Sequence, residues 1–124
     1  MGQSLYPGRI AMIEKTSFGS ILIDGATYTS DLILFPDGRV ADAWRRSSGH
    51  RLHMEDIETL VAAAPEVIVA GCGVFGRMKP EPGLAAALAE KGIEFHAASN
   101  AKAAKIYNEQ AAKHKAGACF HLTC

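Results

Sequence analysis

Three glycines follow an apolar run in the middle of the chain, and their spacing is that of a phosphate-binding loop. Residues 67–70 are apolar, and Gly71, Gly73 and Gly76 match the G-x-G-x-x-G pattern of dinucleotide-binding proteins. In that motif the glycines lead directly into a helix, whose N-terminal N–H groups meet the pyrophosphate. Here two prolines delay the next helix, and no acidic residue ends the following strand. The run therefore predicts a buried strand that ends in a loop with few side chains, at the edge of a sheet.

Four segments follow predicted strands and carry polar or small residues: Trp44-Arg45-Arg46 with its loop, Gly71-Cys72-Gly73, Ser99-Asn100 and Thr123-Cys124. Because ligands in open α/β sheets bind beyond the carboxyl ends of parallel strands, we expect these segments to share one edge. Arginine cations, N–H groups in a glycine loop and a helix N-terminus are groups that hold an oxyanion. Solvated arginines and glycines that serve a tight turn are the alternative, and both interpretations stay open. The candidate ligand-binding residues are Trp44, Arg45, Arg46, Gly71, Cys72, Gly73, Arg77 and Ser99.

A thiol is a second candidate chemistry. Cys72, with His50, His53 or His121 as a base, would supply the parts of a nucleophilic pair. No spacing in the sequence indicates that any of these histidines reaches the thiol. Free cysteine is also among the most buried residue types, so simple packing explains Cys72 as well. We therefore predict no catalytic residue from this pattern.

Two pairs of metal-binding residue types also occur. His50-x-x-His53 and His121-x-x-Cys124 offer the nitrogen and sulfur ligands that zinc prefers. The loop around His50 offers no third ligand, so neither pair alone makes a site. The sequence predicts no metal centre and no cofactor.

Composition excludes several classes of protein. A chain of 124 residues, 48% of them apolar, has the length of one domain with its own core. Thirteen basic and thirteen acidic residues cancel, so no global field favours nucleic acid or an acidic membrane. Three cysteines in a chain with an adequate core indicate free thiols and a reducing compartment. With no predicted signal core or membrane span, we expect a cytoplasmic protein.

The first third of the chain has the pattern of β-hairpins. Short apolar runs cover residues 10–13, 21–23, 32–35 and 40–44, and Asp24-Gly25 and Pro36-Asp37-Gly38 are turn signals between them. Residues 45–51 are polar and predict a loop. This region should add antiparallel strands at one edge of a sheet.

The second half alternates helices and strands. Apolar spacing predicts a helix over 54–64, a strand over 67–70, a helix over 84–91 and a strand over 93–97. A third helix, capped by Ser99 or Asn100, runs to Lys115, and a last strand covers 118–122. This order predicts one α/β domain over residues 1–124, with three layers around a central sheet.

Several short motifs are spread over nearly the whole chain: Phe18-Gly19, Ile23-Asp24-Gly25, Asp31-Leu32, Phe35-Pro36, Trp44-Arg45-Arg46, Gly49-His50, Gly71-x-Gly73, Tyr107-Asn108 and His121-Leu122-Thr123-Cys124. Together they resemble a family of small α/β proteins of undetermined biochemistry that includes the mammalian adipogenesis-associated protein and a mitochondrial complex I assembly factor. The resemblance implies a three-layer fold with a mixed sheet, so not every strand end points the same way. It implies no reaction and no catalytic residues, only a shared surface at Trp44, Arg45, Arg46, Gly71 and Gly73.

Two functional hypotheses follow. The first is a non-enzymatic cytoplasmic module that binds another protein, as in assembly, through an apolar or aromatic patch near Trp44 and Phe75. The second is a protein, enzyme or not, that binds a small phosphate-bearing or other anionic ligand through Arg45, Arg46, the glycine loop and Arg77. Because no acid, base and nucleophile lie close together in the sequence, binding is easier to support than catalysis.

Overall fold

A computed structural model describes residues 11–124, and its elements follow the apolar segments of the chain. In chain order they are β1 (Ile13–Ser17), β2 (Ser20–Ile23), β3 (Ala26–Tyr28), β4 (Leu32–Leu34), β5 (Val40–Ala41), β6 (Arg51–Leu52), a 3₁₀ turn (Met54–Ile57), α1 (Glu58–Ala62), β7 (Val67–Cys72), β8 (Lys79–Pro80), α2 (Leu84–Glu90), β9 (Glu94–Ala98), α3 (Asn100–Ala111) and β10 (Ala116–His121).

The centre of the fold is a five-stranded mixed sheet in the order β5-β4-β10-β7-β9. Strands β7, β9 and β10 are parallel to one another, whereas β4 is antiparallel to both β10 and β5. Every residue of β7 and β10 is buried, which is the pattern of central strands covered on both faces. The carboxyl ends of the three parallel strands therefore meet at one edge, beside the start of β4.

Two elements cover one face of this sheet. Strands β1, β2 and β3 form a separate antiparallel sheet, and its isoleucines pack with α3 against alternate residues of β4, β7 and β10. The face of α3 that enters this core carries Ala103, Ala104, Tyr107 and Ala111, so the helix lies close to the strands. Asn108 fixes the contact, because its amide exchanges hydrogen bonds with the backbone of Ile13.

The other face is covered by α1, α2 and the short parallel pair of β6 and β8. Leu60, Leu84 and Leu88 pack there against the residues of β7 and β10 that point away from α3. The domain thus has three layers, as the sequence predicted, with a mixed sheet and an antiparallel region near its N-terminus.

The element boundaries show where sequence patterns were insufficient. The first strand covers Ile13–Ser17 rather than 10–13, and residue 10 lies outside the described residues. Strands β3, β6 and β8 were not predicted, because two or three residues carry no readable period. The third helix ends at Ala111, short of Lys115, where the Gln110 carbonyl accepts bonds from the N–H groups of Lys113 and His114.

Over residues 11–124, no helix has the length and apolar character needed to cross a membrane.

Candidate functional site

The four segments that were predicted to share an edge do meet there. The Trp44 N–H donates to the Asp31 carbonyl at 2.9 Å, which joins the loop after β5 to the start of β4. The Val74 N–H donates to the Thr123 carbonyl at 2.7 Å, which joins the glycine loop to the end of β10. The Asn100 N–H donates to the Gly73 carbonyl at 3.1 Å and adds the start of α3. We call this end of the sheet the carboxyl edge.

Asp31, Arg46 and His121 form a polar cluster at the carboxyl edge. One carboxylate oxygen of Asp31, Oδ2, lies 3.0 Å from Nη1 of Arg46 and 2.9 Å from Nδ1 of His121. The other, Oδ1, accepts the N–H of Leu122 at 2.8 Å. The side chain of Arg46 is only 5% exposed, and its Nη2 also donates to the Gly49 carbonyl. A buried arginine is therefore neutralised by a carboxylate, as burial of a charge requires.

The electrostatics of the polar cluster favour an ionised Asp31. Burial alone raises the pKa of its carboxyl, but hydrogen bonds from His121, the Leu122 N–H and Arg46 outweigh burial, so the net pKa is lowered. Nδ1 of His121 also lies 3.0 Å from Nη2 of Arg46. Since Nδ1 carries at most one proton, it either donates to Asp31 or accepts from Arg46. Either arrangement ties β10 to the loop after β5.

Trp44 and the two arginines after it have different environments. The Trp44 indole N–H donates to the Asp56 carbonyl at 2.9 Å, and its ring packs beside the core under α1. The guanidinium of Arg46 stacks on this ring, 4.6 Å from its centroid, and its buried Nε has no hydrogen-bond partner within residues 11–124. Arg45 is exposed. Trp44 is therefore a half-buried plug beneath Arg46, whereas Phe75, the other residue of the predicted patch, is exposed.

The glycines at 71 and 73 serve packing. A Cβ at Gly71 would collide with the ring of Phe120 and the side chain of Asn100, and a Cβ at Gly73 would collide with the backbone of Cys124. Gly73 also has φ of 102°, a conformation that L side chains rarely adopt. Glycine is thus required at both positions because other parts of this chain approach the backbone closely.

Most N–H groups of the glycine loop donate within the chain. Gly73 donates to the Asn100 side chain at 3.0 Å, Arg77 to the Cys124 carbonyl at 2.9 Å, and Met78 to the Cys72 carbonyl at 3.0 Å. With Val74 also engaged, the loop offers few donors to an external anion. The oxyanion cradle that the sequence suggested is occupied by the loop's own bonds.

Cys72 is buried and does not meet a base. Burial raises the pKa of its thiol, and the Sγ lies 3.7 Å from the Ala70 carbonyl. Of the three histidines considered for it, His121 is bonded to Asp31, and the ring of His50 lies edge-on to that of His121 at 6.0 Å. His53 interacts with Asp56 instead. Cys72 lines a cavity of about 240 Å³, and Phe75, Gly76, Met78, Lys79, Pro80, Ala97, Ala98 and Ser99 complete its wall.

Phe18 and Phe75 form an exposed aromatic face at the carboxyl edge. Their ring centroids are 6.5 Å apart and their planes are tilted by 50°. The side chains remain 61% and 71% exposed, and Met12 is the other large hydrophobic exposed in the described part of the chain. The Gly19 N–H donates to the Leu122 carbonyl at 2.8 Å and holds the β1–β2 turn against the end of β10. The turn therefore presents Phe18 beside the glycine loop.

A family model for proteins of unknown function, DUF498/DUF598, matches residues 13–121. The chain belongs to this family. The match covers every strand and helix described above, and it includes Asp31, Arg46, Phe75 and His121. Membership in the DUF498/DUF598 family carries no assigned activity.

Solved structures share the fold of this DUF498/DUF598 protein. The protein MT938 is 27% identical, with a TM-score of 0.78, over 92% of this chain and 99% of its own. Conserved hypothetical protein PH1505 from Pyrococcus horikoshii OT3 is 24% identical, with a TM-score of 0.79, over 90% and 98%. An Mth938-like domain protein from Bordetella pertussis is 16% identical, with a TM-score of 0.61, over 98% and 92%. These likenesses establish a mixed α/β fold of the Mth938 type.

Three positions that build the carboxyl edge of this DUF498/DUF598 protein were not predicted as site residues. Asp31 appeared only within the family motif Asp31-Leu32, and nothing in the sequence marks it as the partner of Arg46. Asn100 was expected as a helix cap, but its amide instead accepts from Gly73 and donates to the His121 carbonyl at 2.8 Å. Ser99 occupies the N-cap position without a side-chain cap bond. Phe18 appeared only within the family motif Phe18-Gly19, and its contact with Phe75 depends on the fold.

Proposed function

We propose that this DUF498/DUF598 protein is a module that binds another protein through the aromatic face of Phe18 and Phe75, and that it has no reaction of its own. The observation that carries the proposal is the exposure of both rings, which meet although they come from distant parts of the chain. Aromatic side chains contribute much of the binding energy at protein interfaces. Exposed apolar groups clustered beside a rigid edge are typical of recognition surfaces.

The groups beneath the aromatic face give it a fixed support. The polar cluster joins β4, β10 and the loop after β5, and the amide of Asn100 joins the glycine loop to β10. A surface that is already ordered loses little conformational entropy when a partner binds. This favours recognition over a mobile catalytic loop.

The polar groups at the carboxyl edge bond mainly to one another, which argues against the anion-binding alternative. Arg46, one of the candidate cations, is buried against Asp31, and the N–H groups of the glycine loop are largely bonded within the chain. Arg45 and Arg77 remain exposed and are available only as surface charges. The experiment below therefore also tests for binding of a small phosphate-bearing ligand.

A cytoplasmic location and a role in assembly belong to the same proposal. Cys72, Cys119 and Cys124 are all free thiols, which suits a reducing compartment. The sequence resemblance to an adipogenesis-associated protein and a complex I assembly factor supports a role in assembly or regulation. Both are analogies of family and environment, so the surface itself must be tested.

A photo-cross-linking residue at position 75 tests the proposal. The labelled protein is irradiated in an extract of its own cells, and cross-linked species are identified by mass spectrometry. The matched control carries the same residue at Met12, which is 52% exposed and apolar but lies outside the carboxyl edge. We expect a partner that cross-links from position 75 and not from position 12.

Binding measurements with purified components then test whether the aromatic face contacts the partner. The identified partner should bind the wild-type protein, and Phe18→Ala and Phe75→Ala should each weaken binding by about tenfold or more, as expected for interface aromatics. Met12→Ala should bind like the wild type. Equal affinity for all four proteins would contradict the proposal. Thermal stabilisation by inorganic phosphate that is lost in Arg45→Ala would instead support the anion-binding alternative.

A further inference from the structure

Strand β9 forms one edge of the central sheet. Among the described residues, 11–124, it pairs with β7 alone. The Glu94 N–H donates to the Glu66 carbonyl at 3.0 Å, so Glu94, His96 and Ala98 direct their backbone groups toward β7. Because strand groups alternate with a period of two, the N–H and C=O groups of Phe95 and Ala97 point away from the sheet. Within residues 11–124, no strand pairs with β9 on that side.

Apart from the exposed Glu94 at its start, this edge lacks the devices that usually prevent pairing with another chain. Strand β9 keeps a continuous register with β7 over five residue pairs, without a bulge. It contains neither proline nor lysine, which often guard such edges. The opposite edge is protected by shortness, since β5 has only two residues. The contrast marks the β9 edge as the one that can accept a strand.

The cavity beneath Phe75 lies at the carboxyl end of β9. Ala97, Ala98 and Ser99 form one wall, and Phe75 and Met78 contribute apolar surface opposite. Its volume, about 240 Å³, is below the range of roughly 300–1,000 Å³ that is typical of small-molecule sites. An apolar side chain from a strand added along β9 would be delivered to this cavity.

The charged side chain that lines the cavity is a cation, and two more cations lie near it. Lys79 lines the cavity, Arg77 precedes it in the glycine loop, and Arg51 is the register partner of Lys79 in the β6–β8 pair. All three are exposed, and none has a carboxylate partner among the ion pairs of the described residues. Electrostatic complementarity therefore favours an acidic partner segment.

We propose that an extended, acidic segment of another protein adds to β9 as a sixth strand of the central sheet. Its backbone bonds to Phe95 and Ala97, one apolar side chain enters the cavity under Phe75, and its carboxylates face Arg77 and Lys79. Strand addition of this kind takes affinity from backbone bonds and specificity from side-chain pockets. The inference rests on the proposed partner-binding function and specifies the chemistry of the partner.

A second copy of this chain is the competing occupant. A twofold axis makes the two β9 strands antiparallel, so the carboxyl end of one lies beside the amino end of the other. At that end β9 carries a single carboxylate, Glu94, which interacts with His96 of its own strand and is a weak counter-charge for the cations at 77 and 79. We therefore commit to a different, acidic chain as the occupant, and self-association is an outcome of the test below.

Ala97→Pro tests the sixth strand directly. Proline removes the N–H that faces away from β7 and leaves the β7–β9 bonds in place, which is why proline is tolerated on edge strands. Ala97→Ser keeps the N–H and is the matched control. Random peptides displayed on phage are selected for binding to the wild-type protein, and the affinity of the selected peptides is then measured for both variants. We expect acidic peptides with alternating apolar residues, whose affinity falls about tenfold or more for Ala97→Pro only.

Amide hydrogen exchange provides a readout that does not depend on how the variant folds. In the free wild-type protein, the amides of Phe95 and Ala97 should exchange faster than those of His96 and Ala98. Saturation with a selected peptide should protect Phe95 and Ala97. The sixth strand would be overturned if exchange at both amides is unchanged, or if Ala97→Pro binds the peptides as well as the wild type. It would also be overturned if no peptide is selected, if the selected peptides lack acidic residues, or if the protein self-associates through β9.

The two proposals fail in different ways. If Phe18→Ala abolishes binding of the cross-linked partner while Ala97→Pro leaves it unchanged, the aromatic face stands and the sixth strand is wrong. If the partner binds Phe18→Ala and Phe75→Ala normally, the proposed function itself is wrong.

Discussion

Two regions at the carboxyl edge reverse the usual placement of polar and apolar groups. The polar cluster of Asp31, Arg46 and His121 is largely buried, whereas the aromatic face of Phe18 and Phe75 is mostly exposed. In the cluster, Asp31 lies within hydrogen-bond distance of Arg46, His121 and the Leu122 N–H, which belong to two other segments. In the aromatic face, the two rings contact each other and leave most of their surface to solvent. The first region holds the edge together, and the second is available to a partner.

Arg45 and Arg46 make the same contrast between adjacent residues. From sequence they are equivalent, yet one side chain is exposed and the other is enclosed by Trp44, Asp31 and His121. At this edge, the contacts of a side chain therefore indicate its role, whereas its residue type does not. The predictions below separate residues that stabilise the domain from residues that recognise a partner.

The largest loss of stability is expected for Asp31→Ala. Removing the carboxylate leaves the buried Arg46 cation without a counter-charge, which typically costs about 3 kcal/mol or more of unfolding free energy. Asp37→Ala is the control, because Asp37 pairs with Arg39 on the surface, where both side chains are about half exposed or more. That pair contributes about 1 kcal/mol or less. Urea unfolding measures both variants, and equal losses would show that the cluster has no special role.

Arg46→Ala should lose about 2 kcal/mol, somewhat less than Asp31→Ala, because Asp31 keeps its bonds to His121 and Leu122. Arg45→Ala, one residue away and exposed, should change stability by no more than about 0.5 kcal/mol. Thermal unfolding of the two variants side by side checks the difference. A similar loss in both would contradict the buried placement of Arg46.

Gly73→Ala should destabilise the domain by about 2 kcal/mol, because its φ is 102° and the new Cβ would collide with the backbone of Cys124. Gly76→Ala is the control, with φ of 69° but open space around the added methyl. It should lose about 1 kcal/mol from backbone strain alone. If both variants lose the same amount, the approach of residue 124 does not contribute to the need for glycine.

The fold follows from local patterns more completely than the edge does. Buried runs such as residues 67–72 and the apolar stripes of the helices predicted the layers, because burial and periodicity can be read from residues that are close in sequence. The polar cluster joins residues 31, 46 and 121, and no local pattern links positions so far apart. The glycine spacing was visible, but its reason, the approach of Phe120 and Cys124, depends on tertiary packing.

Acid should weaken the wild-type domain more than Asp31→Asn. The folded-state pKa of Asp31 lies below its ordinary value, so the unfolded chain binds more protons between the two values. The contribution of Asp31 is therefore present above about pH 4 and is lost as the pH falls through the folded pKa. Unfolding free energies measured from neutral pH downward should converge for the two proteins. A constant difference down to the lowest pH would contradict this linkage.

The smallest effect on stability is expected at the aromatic face. Phe18→Ala and Phe75→Ala remove rings that are 61% and 71% exposed, so unfolding free energies should change by about 0.5 kcal/mol or less. Losses above about 2 kcal/mol would mean that the rings belong to the core rather than to a recognition surface. Chemical denaturation of each variant measures this.

The most direct test of partner binding is an amide chemical-shift map of the ¹⁵N-labelled protein, titrated with the partner that cross-links from position 75. We predict that the perturbed amides centre on Phe18, Phe75 and the residues that line the cavity, while those of Asp31, Arg46 and His121 change little. Shifts that centre on Arg46 and His121, with Phe18 and Phe75 unaffected, would contradict partner binding through the aromatic face.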